Sequence, residues 1–193
     1  MFLGTALTAV LEAIAADKVY NGNPESYIKV SDDTIPALVK DNTDRNRTSP
    51  FAFTGNKFEF RMLGSMFSIA GPNIVLNTIV AEELDEFADK LADAPDLEAA
   101  VYDLVKETYK AHKRIVFNGN GYTDAWVEEA AKRGLLNLKS TPEALPYLGH
   151  AKNIELFEKH NIFTKAEVES RVEILLENYS TTISIEAATM LDM

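Results

Sequence analysis

The sequence predicts an α+β fold that is predominantly helical and carries one short β-hairpin. Beyond Gly71-Pro72, apolar residues recur at helical steps almost to the end of the chain. Before that point, Phe and charged residues alternate from Lys57 to Met62, the period of an extended strand. Breakers such as Asn21-Gly22-Asn23-Pro24 and Ala94-Pro95-Asp96 separate the periodic runs. At 193 residues the chain can bury a core of its own, and one domain over 1–193 is expected.

Leu7, Val10, Leu11 and Ile14 sit at helical spacing, so a first amphipathic helix is expected over about 5–17, stopped by Asn21-Gly22-Asn23-Pro24. From Glu25 to Asp44 periodicity is weak, and Ile28, Val30, Ile35, Leu38 and Val39 read as anchors of an irregular excursion. Strands are expected at Thr48–Phe53 and Lys57–Met62, joined through Thr54-Gly55-Asn56, where Gly or Asn supplies the positive φ of a short turn. In that hairpin Lys57, Glu59 and Arg61 share one face and Phe58, Phe60 and Met62 the other, so exposure should alternate with period two.

Leu76, Val80, Leu84, Phe87 and Leu91 define the next helix, and Leu97, Val101, Leu104 and Val105 another, expected to pack antiparallel on it. Asn118-Gly119-Asn120-Gly121 is a loop, Thr123 caps a helix carrying Trp126, and Gly134 ends that helix after Arg133. Thr141-Pro142 opens a short helix with Pro at its first position. Thr164 and Glu167 form a capping box for the last helix, whose stripe is Val168, Val172, Leu175, Tyr179 and Ile183.

Lys and Arg number 19 against 30 Asp and Glu, a formal charge of −11. That balance argues against nucleic acid as a partner, since duplex affinity rests on neutralising phosphates. With no Cys, disulfide and thiolate chemistry are excluded, compatible with a cytoplasmic origin. The first residues lack the basic start of a secretory signal, and no apolar run is long enough to span a bilayer.

Against this acidic background, Arg45, Arg47, Lys57 and Arg61 form a basic island around Glu59, suited to a small polyanion. A carboxylate flanked by cations on one strand face is what a phosphoryl-transfer site asks for. Mg²⁺ shares one or two carboxylates with substrate phosphates, and Arg and Lys neutralise developing charge. The bland reading, a half-buried strand whose charged face meets water, uses the same residues. His112, His150 and His160 have no metal-ligand spacing and read as surface or capping residues. The Asn118–Gly121 loop lacks the Lys-Ser/Thr of a phosphate loop, and Trp126 with Tyr122 and Phe117 reads as a packing cluster.

The run NRTSPFAFTGNKFEFRMLGS at 46–65, followed by SIAGPNIVLNTIVAEEL, resembles the glutamine synthetases, specifically the long type III branch. HKRIVFNGNGYTDAWVEEAAKRGLLNLKST, EALPYL and ELFEKHNIFTKAEVESRVEILLENYS resemble the same family's C-terminal region, so the likeness covers nearly the whole chain. The resemblance implies ATP-dependent formation of a γ-glutamyl phosphate that ammonia displaces. It implies ATP and Mg²⁺ or Mn²⁺ as cofactors, glutamate and ammonia as substrates, and a homo-oligomer. By position in the motif, Glu59 is implied as a metal ligand and Arg47 as a contact to ATP phosphates. Lys57, in place of an Arg, offers a point charge without the bidentate fork, and Arg61 would hold glutamate or its acyl phosphate. Where the shorter branch has a further phosphate-binding Arg, this chain reads Phe51-Ala52-Phe53, and no role is carried over.

The family's other acidic ligands, its metal-binding His and its Asn-Gly glutamate segment have no counterpart in these residues. One carboxylate cannot hold a two-metal site, so the chain by itself is expected to be a fragment without turnover. Thr5-Ala6 stands where the family has an acidic pair, and Met66-Phe67 where it has Ser-Gln. Both exchanges suit surfaces or gaps left by missing segments, whether by excision, engineering or natural divergence. The alternative is a non-catalytic helical scaffold or oligomerisation module derived from that enzyme.

Overall fold

The computed structural model describes residues 1–22, 27–28, 38–39, 51–54, 57–61 and 67–193, with backbone alone at 27–28 and 38–39. The elements in chain order are α1 (Gly4–Ala15), β1 (Tyr27–Ile28), β2 (Leu38–Val39), β3 (Phe51–Phe53) and β4 (Phe58–Phe60). They are followed by α2 (Ala70–Leu91), α3 (Leu97–His112), a 3-10 turn at Lys113–Ile115, α4 (Asp124–Lys132), α5 (Thr141–Leu148), α6 (Ala151–Lys159) and α7 (Lys165–Asp192). The mostly helical α+β class stands. β1 pairs antiparallel with β2, Tyr27 opposite Val39, and β3 pairs with β4, Phe53 opposite Phe58. Among the described residues no helix is long and apolar enough to cross a membrane.

The chain forms two compact units, one of Met1–Ser68 with Asp89–Leu136 and one of Ile69–Ala88 with Asn137–Met193. In the first, α1 packs on α3. Three polar side chains of α3 fasten that pair at successive turns. The Tyr102 hydroxyl reaches the Ile14 carbonyl at 3.4 Å, Lys106 pairs with Asp17 at 2.5 Å, and the Tyr109 hydroxyl donates to Glu12 at 2.8 Å. α1 ends earlier than the Asn21-Gly22 breaker: Asp17 turns into the left-handed region at φ 54°, and Lys18 N–H bonds back to the Ala13 carbonyl. A non-glycine residue is costly there, and the Lys106 ion pair helps hold it.

The start of α1 has no cap of its own. Asn118, distant in sequence, supplies one: its Oδ1 accepts from Leu3 N and Gly4 N, each at 3.1 Å, and its Nδ2 donates to Thr8 Oγ1 at 2.9 Å. Orphan N–H groups of a first turn are thereby satisfied from the loop after α3. Phe117 N–H also bonds the Met1 carbonyl at 2.8 Å, so the two segments run side by side. Arg133 ties the end of α4 to this loop through the Arg114 and Val116 carbonyls, and Gly134, at φ 66°, ends α4 as expected. Thr123 precedes α4, but its hydroxyl donates to the Asn120 carbonyl instead of capping the helix. Phe117 packs on Trp126 with centroids 4.7 Å apart, while Tyr122 is exposed and outside that pair.

In the second unit the core is Ile154, Phe157 and Val168, with Ile74, Val75, Leu148 and Phe163 packed against it. α6, which supplies two of those residues, was not among the expected helices. The Thr164–Glu167 capping box of α7 is present, with Thr164 N–H on Glu167 Oε2 at 2.8 Å. At α5 the cap falls on Ser140, whose N–H reaches Glu143, and Pro142 follows Thr141 in the first turn. Along the α7 stripe Val168 is buried, whereas Leu175 and Ile183 are exposed. α2 lies largely in the second unit and α3 in the first, and the stripe residues Val80, Leu84, Leu97, Val101 and Val105 are all exposed.

Candidate phosphate and metal strand

β3 and β4 form a hairpin shorter than the sequence suggests, closed where Thr54 N–H and hydroxyl both meet the Lys57 carbonyl, at 2.8 and 3.1 Å. Its pairing places Ala52 opposite Glu59 and the aromatic residues opposite one another. Phe51, Phe53 and Phe58 cluster, with Phe51 and Phe58 stacked at 4.7 Å and Phe53 tilted on Phe58 at 5.3 Å. Such cross-strand aromatic pairs fix register.

The expected alternation of exposure is not there. Phe58 is 48% exposed, while the Arg61 side chain is only 20% exposed. On the aromatic face Phe51, Phe53 and Phe58 partly cover one another, and on the charged face Ala52, beside Glu59, is fully buried. Both faces are therefore half covered.

On the charged face the three candidates are together. Arg61 Nη2 and Nε lie 2.8 and 3.1 Å from Glu59 Oε2, and Lys57 Nζ is 3.9 Å from Oε1. A cation thus stands at either end of one carboxylate, with Lys57 the more exposed of the two. Arg47, Met62 and Met66 lie outside the described residues. Phe67 is described and is 73% exposed, so its ring does not fill a gap in the core.

Among the described residues no group of three or more His, Asp or Glu could hold a metal ion. Mg²⁺ demands near-octahedral oxygen ligation and keeps several waters, so Glu59 fits one ligand position of a site shared with phosphate oxygens, and no more. Two of the histidines take structural roles. His150 Nδ1 accepts from Lys152 N–H at the start of α6, and His160 meets Glu82 at 2.6 Å. Glu82 also binds Lys159 at 2.7 Å, and these contacts hold its carboxyl below the ordinary range, the Lys159 hydrogen bond most strongly. This cluster joins α2 to α6 and was not legible in the sequence, since its partners are far apart in the chain.

A strand bearing Glu between two cations thus precedes the helical region, and comparison with known proteins shows which family the chain resembles. Residues 100–193 match the glutamine synthetase C-terminal domain. The whole chain is 48% identical to a glutamine synthetase of Butyrivibrio fibrisolvens and 45% identical to a type-3 glutamine synthetase of Dictyostelium discoideum. It is 38% identical to a glutamine synthetase of Bacteroides fragilis. Residues 100–193 are thus a glutamine synthetase C-terminal domain, and the chain as a whole is similar to glutamine synthetases, the type-3 branch included. All of the chain is covered in these matches, but it spans only 27 to 28% of the relatives' own length.

Proposed function

We propose that this chain contributes one strand of a glutamine synthetase catalytic site, the site that joins ammonia to glutamate at the expense of ATP. The observation that carries the reading is the Glu59 carboxylate set between Arg61 at 2.8 Å and Lys57 at 3.9 Å, in a chain homologous to that family throughout. Mg²⁺ or Mn²⁺, when bound, neutralises phosphate charge and aligns the transferring group. Glu59 offers one oxygen ligand to it. Lys57 and Arg47 place positive charge against the ATP phosphates, and Arg61 holds the glutamate carboxylate or the acyl phosphate made from it. These roles come by position in the family motif.

The other metal ligands are supplied from beyond these residues, since one carboxylate leaves most of a divalent ion's coordination to be filled. By itself the 193-residue polypeptide is therefore without turnover. Ammonia, glutamate and a homo-oligomeric, cytoplasmic setting follow from the same reading. A second reading, a helical assembly module, is supported by the exposed apolar end of α7, with Ile183, Ile185 and Leu191 at the surface.

A γ-glutamyl transfer assay with Mn²⁺ tests both. The chain alone should give no product, and mixing it with the remaining N-terminal portion of a type III relative should restore turnover that Glu59→Gln abolishes. Turnover by the chain alone that vanishes in Glu59→Ala would overturn the partial-site reading. Assembly with that portion but no dependence on Glu59 would favour the module.

A further inference from the structure

The chain contains three Asn-Gly pairs, Asn21-Gly22, Asn118-Gly119 and Asn120-Gly121. In such a pair the glycine backbone nitrogen attacks the asparagine Cγ, since no Cβ on the glycine obstructs it. A Gly N–Cγ bond forms, the Cγ–Nδ2 bond breaks, and ammonia leaves carrying the glycine amide proton. Water then opens the succinimide ring at either carbonyl, giving aspartate or isoaspartate. No oxidant or enzyme is required, only freedom for the side-chain amide to swing onto the backbone.

The structure grants that freedom unequally. Asn118 is held at both ends of its amide, Oδ1 by Leu3 N and Gly4 N and Nδ2 by Thr8 Oγ1. Its Gly119 lies beneath the Phe117 ring, so closely that a Cβ there would meet ring carbons at 2.5 and 2.7 Å. That ring is in turn packed on Trp126. Asn120 is tied by one bond, from Tyr122 N–H at 3.0 Å. Asn21 is exposed and, among the described residues, its side chain makes no hydrogen bond. Gly22 beside it sits at φ +84°, with nothing within 4 Å of where a Cβ would be.

We propose that Asn21 is a spontaneous deamidation site of the folded chain, and that Asn118, in the same dipeptide, is kept inert by its work as the cap of α1. Conversion at Asn21 adds a negative charge after α1 and, in the isoaspartate product, an extra backbone carbon as well. Conversion at Asn118 would remove the amide donor that holds Thr8. The fold thus directs this chemistry away from the junction of α1 with the loop after α3.

The test is incubation of the native chain at mildly alkaline pH, followed by peptide mapping for replacement of side-chain NH2 by OH. Methylation by an isoaspartyl methyltransferase serves as a second probe. Asn21 should convert first, and Asn118 at least about tenfold more slowly, because bonds of roughly the ordinary strength must break before its amide can turn. In denaturant the two rates should converge. Thr8→Ala should speed conversion at Asn118 in the folded protein and leave Asn21 unchanged. Equal rates at Asn21 and Asn118 in the native chain overturn the proposal. So does a gap that persists in denaturant, which would assign the difference to the preceding Tyr20 and Phe117 instead of the fold.

Discussion

Arg61 donates twice to one oxygen of Glu59, two residues before it on the same strand face, with Nη2 at 2.8 Å and Nε at 3.1 Å from Oε2. A divalent cation that takes this carboxylate must compete with the guanidinium. The competition is an uneven one, because partly exposed ion pairs contribute only about 0.2–1 kcal/mol. Arg61→Ala should therefore tighten Mn²⁺ binding at Glu59, and Glu59→Gln should remove that binding. Paramagnetic broadening of resonances near β4 reads both. Equal broadening in wild type, Arg61→Ala and Glu59→Gln would place the ion elsewhere.

Alkaline pH should loosen the α1–α3 pair. Burial first, and then the hydrogen bond to Glu12, push the Tyr109 phenol from its ordinary value of 10.0 up to about 12. The folded chain keeps this proton where the unfolded chain loses it, so the stabilisation is complete below pH 10 and is lost as pH rises through about 12. Denaturant midpoints measured across that window should fall in the wild type. In Tyr109→Phe the fall should be shallower; an identical slope would remove Tyr109 as its cause.

Acid should act on the second unit through Glu82. Its carboxyl is held below the ordinary value of 4.5 by the Lys159 hydrogen bond and then by that of His160. The unfolded chain binds the proton first as pH falls, so stability is present above that value and declines below it. Because the Lys159 contribution is the larger, Lys159→Met should flatten the acid decline more than His160→Gln does. The reverse order, read from thermal melts at descending pH, would make the His160 contact at 2.6 Å the stronger anchor.

The legible parts of this molecule were those specified locally. The capping box at Thr164, the αL glycine at Gly134 and the helical spans of α2 and α3 rest on short-range signals and appear where expected, although the row residues Val80, Leu84, Leu97, Val101 and Val105 are exposed. α6 escaped because its row is short, with Ile154 and Phe157 alone turned to the core. Asn118 as a cap and Glu82 as an acceptor depend on partners distant in the chain, which no periodicity encodes. At the candidate site the two-residue spacing gave the shared face of Lys57, Glu59 and Arg61. It could not give exposure, since that depends on what packs on each face, and Ala52, beside Glu59, is fully buried while Phe58 stays half exposed against Phe51 and Phe53.

Phe67 and Phe157 separate surface from core by the same side chain. Phe157 is 4% exposed and meets Phe163 edge-on at 5.4 Å, whereas Phe67 is 73% exposed. Phe157→Ala should cost about 3–5 kcal/mol, the transfer free energy of a buried ring plus the cavity it leaves. Phe67→Gln, which restores the residue type of the family motif, should change stability by no more than about 0.5 kcal/mol, as surface substitutions do. Thermal melts of the two variants, run at several protein concentrations, decide the matter. A large loss in Phe67→Gln would show that the ring is covered in solution. If that loss shrank as both proteins were diluted, the cover would be a second copy of the chain, and Phe at this position would be an adaptation to assembly.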